Sequence, residues 1–313
     1  MKESTPTRTP SVFSRIFRSP GERRLRSGWR LLAQLLLLLF TFIFFGALIG
    51  LFAYLLPMPT NGNILFISQF VVFLAVTLSV YLARRFLDRR SFVSLGLRWD
   101  SRATQDLLFG IVISGFMMGL IYLVEWTMGW LTFDGYAWQE ESATKLVMGM
   151  ALMLVSFIIV GWQEELLSRG YWLQNMEDGL NLFWAVLISS LLFALAHLGN
   201  PNASGVAILG LLLAGVFLAY GYLRTRQLWL PIGLHIGWNF FEGPVFGFQV
   251  SGLVVTPRLL THTINGPEIL TGGAFGPEAG LVIIPAMILG ALAINRYTRH
   301  RPVNTPSYTD TKT

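Results

Sequence analysis

The sequence predicts an all-α, polytopic membrane protein, a helical bundle of about eight transmembrane segments. Three observations lead there. Hydrophobic residues fill 53% of the 313 positions and charged residues only 13%, with a mean hydropathy of +0.57. Soluble domains carry charge at roughly a quarter of their positions, so half that share makes lipid the solvent. Apolar runs approaching the roughly 20 residues that a spanning helix needs follow one another along nearly the whole chain. The basic residues, finally, gather in alternate connections, as they do where loop charge sets topology.

In order, the runs are Leu31–Leu56, Ile64–Ala83, Leu107–Leu131 and Leu146–Trp162, the last continuing to Leu173. Leu182–Leu198, Val206–Leu223, Leu230–Val250 and Leu281–Ile294 follow. The seventh contains Pro231, Pro244 and several glycines. Irregular backbone at membrane depth needs protein or a cavity around it, so a broken or re-entrant segment is the alternative there. Residues 1–30 form a basic, Ser/Pro-rich tail, expected to be disordered, with Lys2, Arg8, Arg15, Arg18, Arg23, Arg24, Arg26 and Arg30 against Glu3 and Glu22. The run after Arg30 exceeds the roughly 7–15 residues of a signal-peptide core, which favours an uncleaved first span.

Loop charge supports an even number of spans. The tail and the second-to-third connection (Arg84, Arg85, Arg89, Arg90, Arg98, Arg102) are basic. Arginines return at Arg169, Arg224, Arg226, Arg296, Arg299 and Arg301. Pro57–Asn63 and Gly199–Ser204 carry no charge, and Thr132–Thr144 carries only acids. Both termini are therefore expected on the cytoplasmic side, in a bacterial cell membrane. A single transmembrane domain over 31–296 and a polar tail over 297–313 complete the organisation. Ser251–Gly280 would then be an external, ordered, turn-rich loop. It either walls a cavity or acts as a lid, or it simply connects two spans. The chain contains no cysteine, which excludes disulfides, thiolate metal sites and a cysteine nucleophile. The net charge of +6 follows topology, so the expected partner is the lipid bilayer and not nucleic acid.

Ionisable groups inside spans are expensive, about 2.5–3.5 kcal/mol each on insertion scales, and persist when paired or working. Three places stand out. In Glu164-Glu165-Leu166-Leu167-Ser168-Arg169, Glu165 and Arg169 are i,i+4 neighbours fit for an ion pair. Glu164 lies about 100° round the helix, free of that arginine and able to exchange a proton. The plainer alternative is an interfacial Glu/Arg cluster at a helix end. Phe193-Ala194-Leu195-Ala196-His197 puts a histidine among small residues, where it either packs or works. His235-Ile236-Gly237-Trp238-Asn239 places imidazole and carboxamide on one face, suited to an oxyanion or to an interhelical clamp. Only four histidines occur, and His262 and His300 fall in a loop and a tail. Three helices bringing Glu, His, and His with Asn to one bundle make the composition of a water-activating site. Straight helices would leave these groups offset in depth by about 10 Å at 1.5 Å per residue.

The chain resembles the CPBP family, which includes the type II CAAX prenyl endopeptidases, the bacteriocin-processing and bacteriocin-immunity (Abi) proteins and the lysostaphin-resistance-like proteins. Its marks are Glu-Glu-x-x-x-Arg, Phe-x-x-x-His and His-x-x-x-Asn on successive helices. They stand here as Glu164-Glu165 with Arg169, Phe193 with His197, and His235 with Asn239. The resemblance implies an intramembrane endopeptidase acting on a membrane-associated or prenylated peptide or protein, with a catalytic core over about 146–247. It implies Glu164 as the base that activates water, and His235 with Asn239 as the oxyanion support. His197 then orients water or carbonyl, and Glu165, Arg169 and Phe193 support the site. A divalent metal such as zinc stays open, with Glu164, His197 and His235 as its ligands if present. Two other functions compete: a non-catalytic immunity or scaffold protein, and an ion-coupled transporter. Many transporters carry internal repeats, and none is evident here.

Overall fold

The structure, a computed structural model, describes residues 12–19, 24–55 and 64–301. The tail before Val12, the Pro57–Asn63 connection and the chain beyond Arg301 lie outside the described residues. Each of the eight apolar segments contains a helix among the described residues. They are α1 (Ser27–Leu55), α2 (Ile64–Leu82), α3 (Ser101–Thr127) and α4 (Ala143–Gly179). α5 (Leu182–Leu195), α6 (Gly205–Thr225), α7 (Trp229–Phe240) and α8 (Ile283–Thr298) follow. Among the described residues five are long and apolar enough to cross a membrane: α1, α2 with the π turn Ala83–Leu87 that extends it, α3, α4 and α6. α5, α7 and α8 have 14, 12 and 16 residues, short of the roughly 20 that a full crossing takes.

Polar side chains start four of these eight helices by capping their unpaired N–H groups. Asp100 accepts from the backbone of Arg102 and Ala103 at 3.0 Å each, and Ser142, Asn181 and Ser204 cap α4, α5 and α6. The apolar surface then faces outward. α1 exposes its leucines and phenylalanines and buries Arg30, Gln34 and Thr41. In water that stripe would be inverted; in lipid, polar groups belong inside the bundle. Gln34 meets Ser79 at 3.4 Å and Trp172 at 3.0 Å, and Thr41 donates to the Ala75 carbonyl at 3.0 Å.

The chain is not purely helical. The third segment, expected to run to Leu131, stops at Thr127, and Gly129 turns the backbone at φ +70°. Leu131–Tyr136 (β1) then pairs antiparallel with Leu260–Ile264 (β2), Leu131 opposite Ile264 and Tyr136 opposite Leu260. The partners are far apart in sequence, and a strand of five or six residues leaves little periodic signal.

Charge separates the two ends of the bundle. At one end the β1 and β2 connections pair, Asn200 donates to the Ser251 carbonyl at 2.8 Å and Asn202 to that of Ala274 at 3.3 Å. At the other end Arg226 clamps Glu177 through two bonds of 2.8 and 3.0 Å. There Asp88 binds Arg30 and Arg84 at 2.9 Å each.

α7 is the buried axis. Every residue from Leu230 to Asn239 is buried, and Pro231 sits in the first turn, where its missing N–H costs nothing. Gly233 and Gly237 let it lie directly on α3. A Cβ on Gly237 would fall 2.7 Å from Ile111 Cα, and one on Gly110 across the seam 2.6 Å from Leu234 N. This small-residue contact holds helices close where lipid gives no hydrophobic drive. The helix then widens into the π turn Phe241–Val245, which contains Pro244. The seventh segment is therefore broken, as its prolines suggested.

Candidate active site

α4 carries both glutamates at the end of its α-helical part. At Leu166 it widens into a π turn that runs to Trp172, a feature frequent at functional sites. Glu165 is fully buried, and its Oε1 accepts from Arg169 Nη1 at 2.8 Å and from His235 Nδ1 at 2.9 Å. Arg169 also donates to the Gly215 carbonyl at 3.0 Å, and its guanidinium lies 4.4 Å over the Phe193 ring. The i,i+4 pair expected from the sequence is thus present, and Phe193 supplies its aromatic floor. The same ring packs 5.1 Å from His197 and 6.0 Å from His235.

Glu164 is placed differently. Its Oε2 has no hydrogen-bond partner and stands 3.9 Å from His197 Nε2 and 3.8 Å from His235 Nε2. The tautomers follow from the other ring nitrogens. His197 Nδ1 lies 2.9 Å from the Phe193 carbonyl and His235 Nδ1 faces Glu165. Both partners accept only, so each Nδ1 carries a proton, and each Nε2 faces Glu164. The gaps are too long for hydrogen bonds. One water with legs of about 2.8 Å opened by about 90° spans such a gap.

The depth offset expected from straight helices disappears. α4 stays helical through its π turn to Gly179, so Glu164 precedes and His197 follows the Gly179–Asn181 turn by nearly equal lengths of chain. Asn239, one turn beyond His235, is buried and lines the same cavity of about 380 Å³ as Glu164, His197 and His235. As placed, the metal candidates do not fit a bound ion. Ligands of a tetrahedral zinc lie about 3.3–3.4 Å apart given bonds of 2.0–2.1 Å, less than the gaps here. Among the described residues no group of three or more His, Cys, Asp or Glu is arranged to hold one.

Several residues at or near the site escaped the sequence reading. Glu278 and Ser251 reach the cavity from the 251–280 connection, and Ser251 Oγ donates to the Glu278 carboxylate. Burial raises the Glu278 carboxyl above its ordinary range, with the Ser251 bond opposing. Gln163 lines the cavity with its amide oxygen unpartnered. Glu242 and Glu125 are fully buried and neither oxygen of either carboxylate has a partner. No motif pointed to Glu278. Glu242, seven positions after His235 and so on the same helix face, and Glu125, in the third apolar run, carried the same intramembrane-acid signal as Glu164.

Residues 146–241 match the Rce1-like family model, described as type II CAAX prenyl endopeptidase Rce1-like. That region spans all three motifs, so the family resemblance read from them stands. Among curated proteins the chain is similar to "Uncharacterized protein YyaK" of Bacillus subtilis (strain 168). They are 25% identical over 258 residues, covering 76% of this chain and 85% of the relative. It is also similar to "Putative membrane peptidase YdiL" of the same organism, 24% identical over 258 residues, with coverage of 79% and 98%. No solved structure gives a significant match. The apolar helices and these relatives make the chain an integral membrane protein.

Proposed function

We propose that the chain is an intramembrane endopeptidase in which Glu164 activates water. Both termini face the cytoplasm of a bacterial cell membrane, and the eight helices of the 31–296 domain pass through it, the three short ones sheltered by the others. The observation that carries the reading is Glu164 Oε2 facing two imidazole Nε2 atoms within 4 Å at a cavity wall, with no cation of its own. A water there gives one proton to Glu164, and its oxygen attacks the peptide carbonyl carbon. Asn239 donates a hydrogen bond to the developing oxyanion, and the imidazoles hold the water oriented. Glu164 then returns the proton to the departing amine as the C–N bond breaks, leaving a carboxylic acid and an amine. Glu165 and Arg169 position His235 through its Nδ1–H, a role that does not touch substrate. The catalytic core is 146–247, with the wall of the cavity completed from beyond it.

The test is cleavage of a peptide library by the full chain in liposomes, read by mass spectrometry of new termini. Glu164→Gln and Glu164→Ala are expected to lower cleavage by about 10²–10⁴-fold while leaving thermal unfolding unchanged, and unimpaired turnover in both sinks the reading. A chelator is expected to leave turnover intact, since no step passes through a metal. Because the chain lacks cysteine, single cysteines introduced at either end report sidedness by labelling.

A further inference from the structure

Gln163 stands next to Glu164 in the chain and takes no part in its proton transfers. It lines the same cavity, is only 6% exposed, and its amide oxygen has no partner. Among the described residues nothing else bonds its carboxamide. Other polar groups of that wall are held within the fold. Ser114 Oγ donates to the Leu234 carbonyl at 2.8 Å, Asn200 Nδ2 to the Ser251 carbonyl at 2.8 Å, and Ser251 Oγ to Glu278. A buried amide left without partners is costly, and a ligand entering the cavity with matching groups removes that cost.

Its place on α4 is set by the helix. Phe157, Val160 and Leu167 line the cavity with it, at steps of three and four residues that keep to one helix face. From α2, Gln69, Val72 and Val76 reach the same cavity at the same steps. Trp162 Nε1 donates to Thr77 Oγ1 at 3.1 Å, which ties α4 to α2 beside Gln163. A chain lying along Phe157, Val160, Val72 and Val76 finds apolar contact there and no hydrogen bond. Gln163 is where its polar backbone can be met, next to the carboxylate that activates water.

A peptide group carries one N–H donor and one C=O acceptor. A primary carboxamide carries the complement of both, whichever way the amide is turned. Consecutive Cα atoms such as those of Gln163 and Glu164 are about 3.8 Å apart, and a residue of extended chain spans about 3.3–3.6 Å. With Glu164 at one peptide carbonyl, the carboxamide therefore stands beside a peptide group one or two residues away. We propose, resting on the protease reading of Glu164, that Gln163 binds the substrate backbone. Its carboxamide takes the N–H and C=O of one peptide group within two residues of the scissile bond. A contact of this kind admits many side chains at that position and rejects a backbone that lacks the N–H, such as proline.

The experiment uses the full chain in liposomes and the library peptide that wild type binds most tightly. That peptide is N-methylated at each residue in turn, which removes one N–H at a time. Cleavage gives KM and fluorescence anisotropy gives Kd. With wild type, N-methylation at one position within two residues of the cleaved bond is expected to raise both by about tenfold. Gln163→Met, close in size and without hydrogen-bonding groups, raises both by about tenfold for the parent peptide. In that variant the sensitive position loses its effect, to within about threefold. If wild type cleaves but shows no sensitive position, or one whose effect survives Gln163→Met, the inference is overturned and the protease reading stands. Gln163-dependent binding without cleavage overturns the protease reading and leaves the backbone contact. Neither cleavage nor a sensitive position overturns both. Gln163→Met breaks no bond of the fold, so thermal unfolding is expected unchanged. A clearly lowered unfolding temperature shows that the carboxamide is held within the fold, and overturns the inference as well.

Discussion

Two buried charge clusters of this molecule are built on the same local device and end differently. Each centres on an acid and an arginine at i,i+4 beside a π turn: Arg84 with Asp88 after α2, and Glu165 with Arg169 in α4. In the first the carboxylate is saturated. Asp88 takes Arg30 and Arg84 at 2.9 Å each, Asn175 at 3.3 Å and Tyr171 at 3.4 Å. In the second, Glu165 Oε1 takes Arg169 and His235 while its Oε2 has no partner, and Glu164 stands beside it facing two imidazole nitrogens across almost 4 Å. A saturated carboxylate can only hold the fold, whereas one left without a partner can take a proton from something else. What separates structure from chemistry is the group left unpaired, not the presence of an ion pair.

The sharpest contrast comes from removing one acid from each cluster. Asp88→Ala leaves the buried Arg84 without a carboxylate and Arg30 with Asp178 alone, and breaking a buried pair costs about 3–5 kcal/mol, read as loss of folded protein in thermal unfolding. Glu164→Gln is expected to leave that unfolding unchanged and to lower turnover by about 10²–10⁴-fold. If Glu164→Gln unfolds the protein, or Asp88→Ala does not, the distinction fails. Glu165→Gln should sit between them. It weakens the Arg169 pair and the His235 hold together, costing about 2–4 kcal/mol and lowering turnover, with a changed pH–rate profile as its positioning signature.

Gly237→Ala tests the axis and not the charges. Its Cβ would push α7 off Ile111, and a displacement near 1 Å at the site can cost about 10²-fold in turnover. A stability loss of about 1–3 kcal/mol accompanies such overpacking. The smallest effect at neutral pH concerns His262 on β2. Burial, with Arg258 adding to it, pushes its imidazole down to about 4 from 6.5. The neutral ring is the folded form. Its contribution is complete above pH 6.5 and is lost as pH falls toward 4, on the order of 3 kcal/mol in total. His262→Gln is expected to flatten the fall in unfolding temperature across that window, without touching turnover at pH 7.

Much of this was legible in the residues. Among the described residues the apolar runs located five helices long and apolar enough to cross a membrane and three shorter ones, because lipid imposes a length and a polarity that a sequence must carry continuously. The Glu165–Arg169 pair was legible because i,i+4 spacing is local. Glu125 and Glu242 could have been read by the same rule that picked out Glu164, and were passed over because no histidine or motif drew attention to them. Segment boundaries were less legible. α3 stopped short of Leu131 and α7 broke at its π turn, since turns and short strands take their partners from far along the chain.

By itself, then, the sequence determined a lipid-embedded helical bundle with a basic and an acidic-to-neutral end, and named Glu164, His197, His235 and Asn239 as the polar groups out of place in it. Those are properties of composition and of neighbours within one or two helical turns. Tertiary structure alone decided that Glu164 stands 3.8–3.9 Å from both imidazoles while Glu165 takes the Nδ1 of His235. It alone brought Ser251 and Glu278 into the same cavity. Depth in a bundle depends on where helices end, kink and approach one another. The glycines that let α7 lie on α3, and the turn between α4 and α5, act through contacts that no stretch of sequence contains.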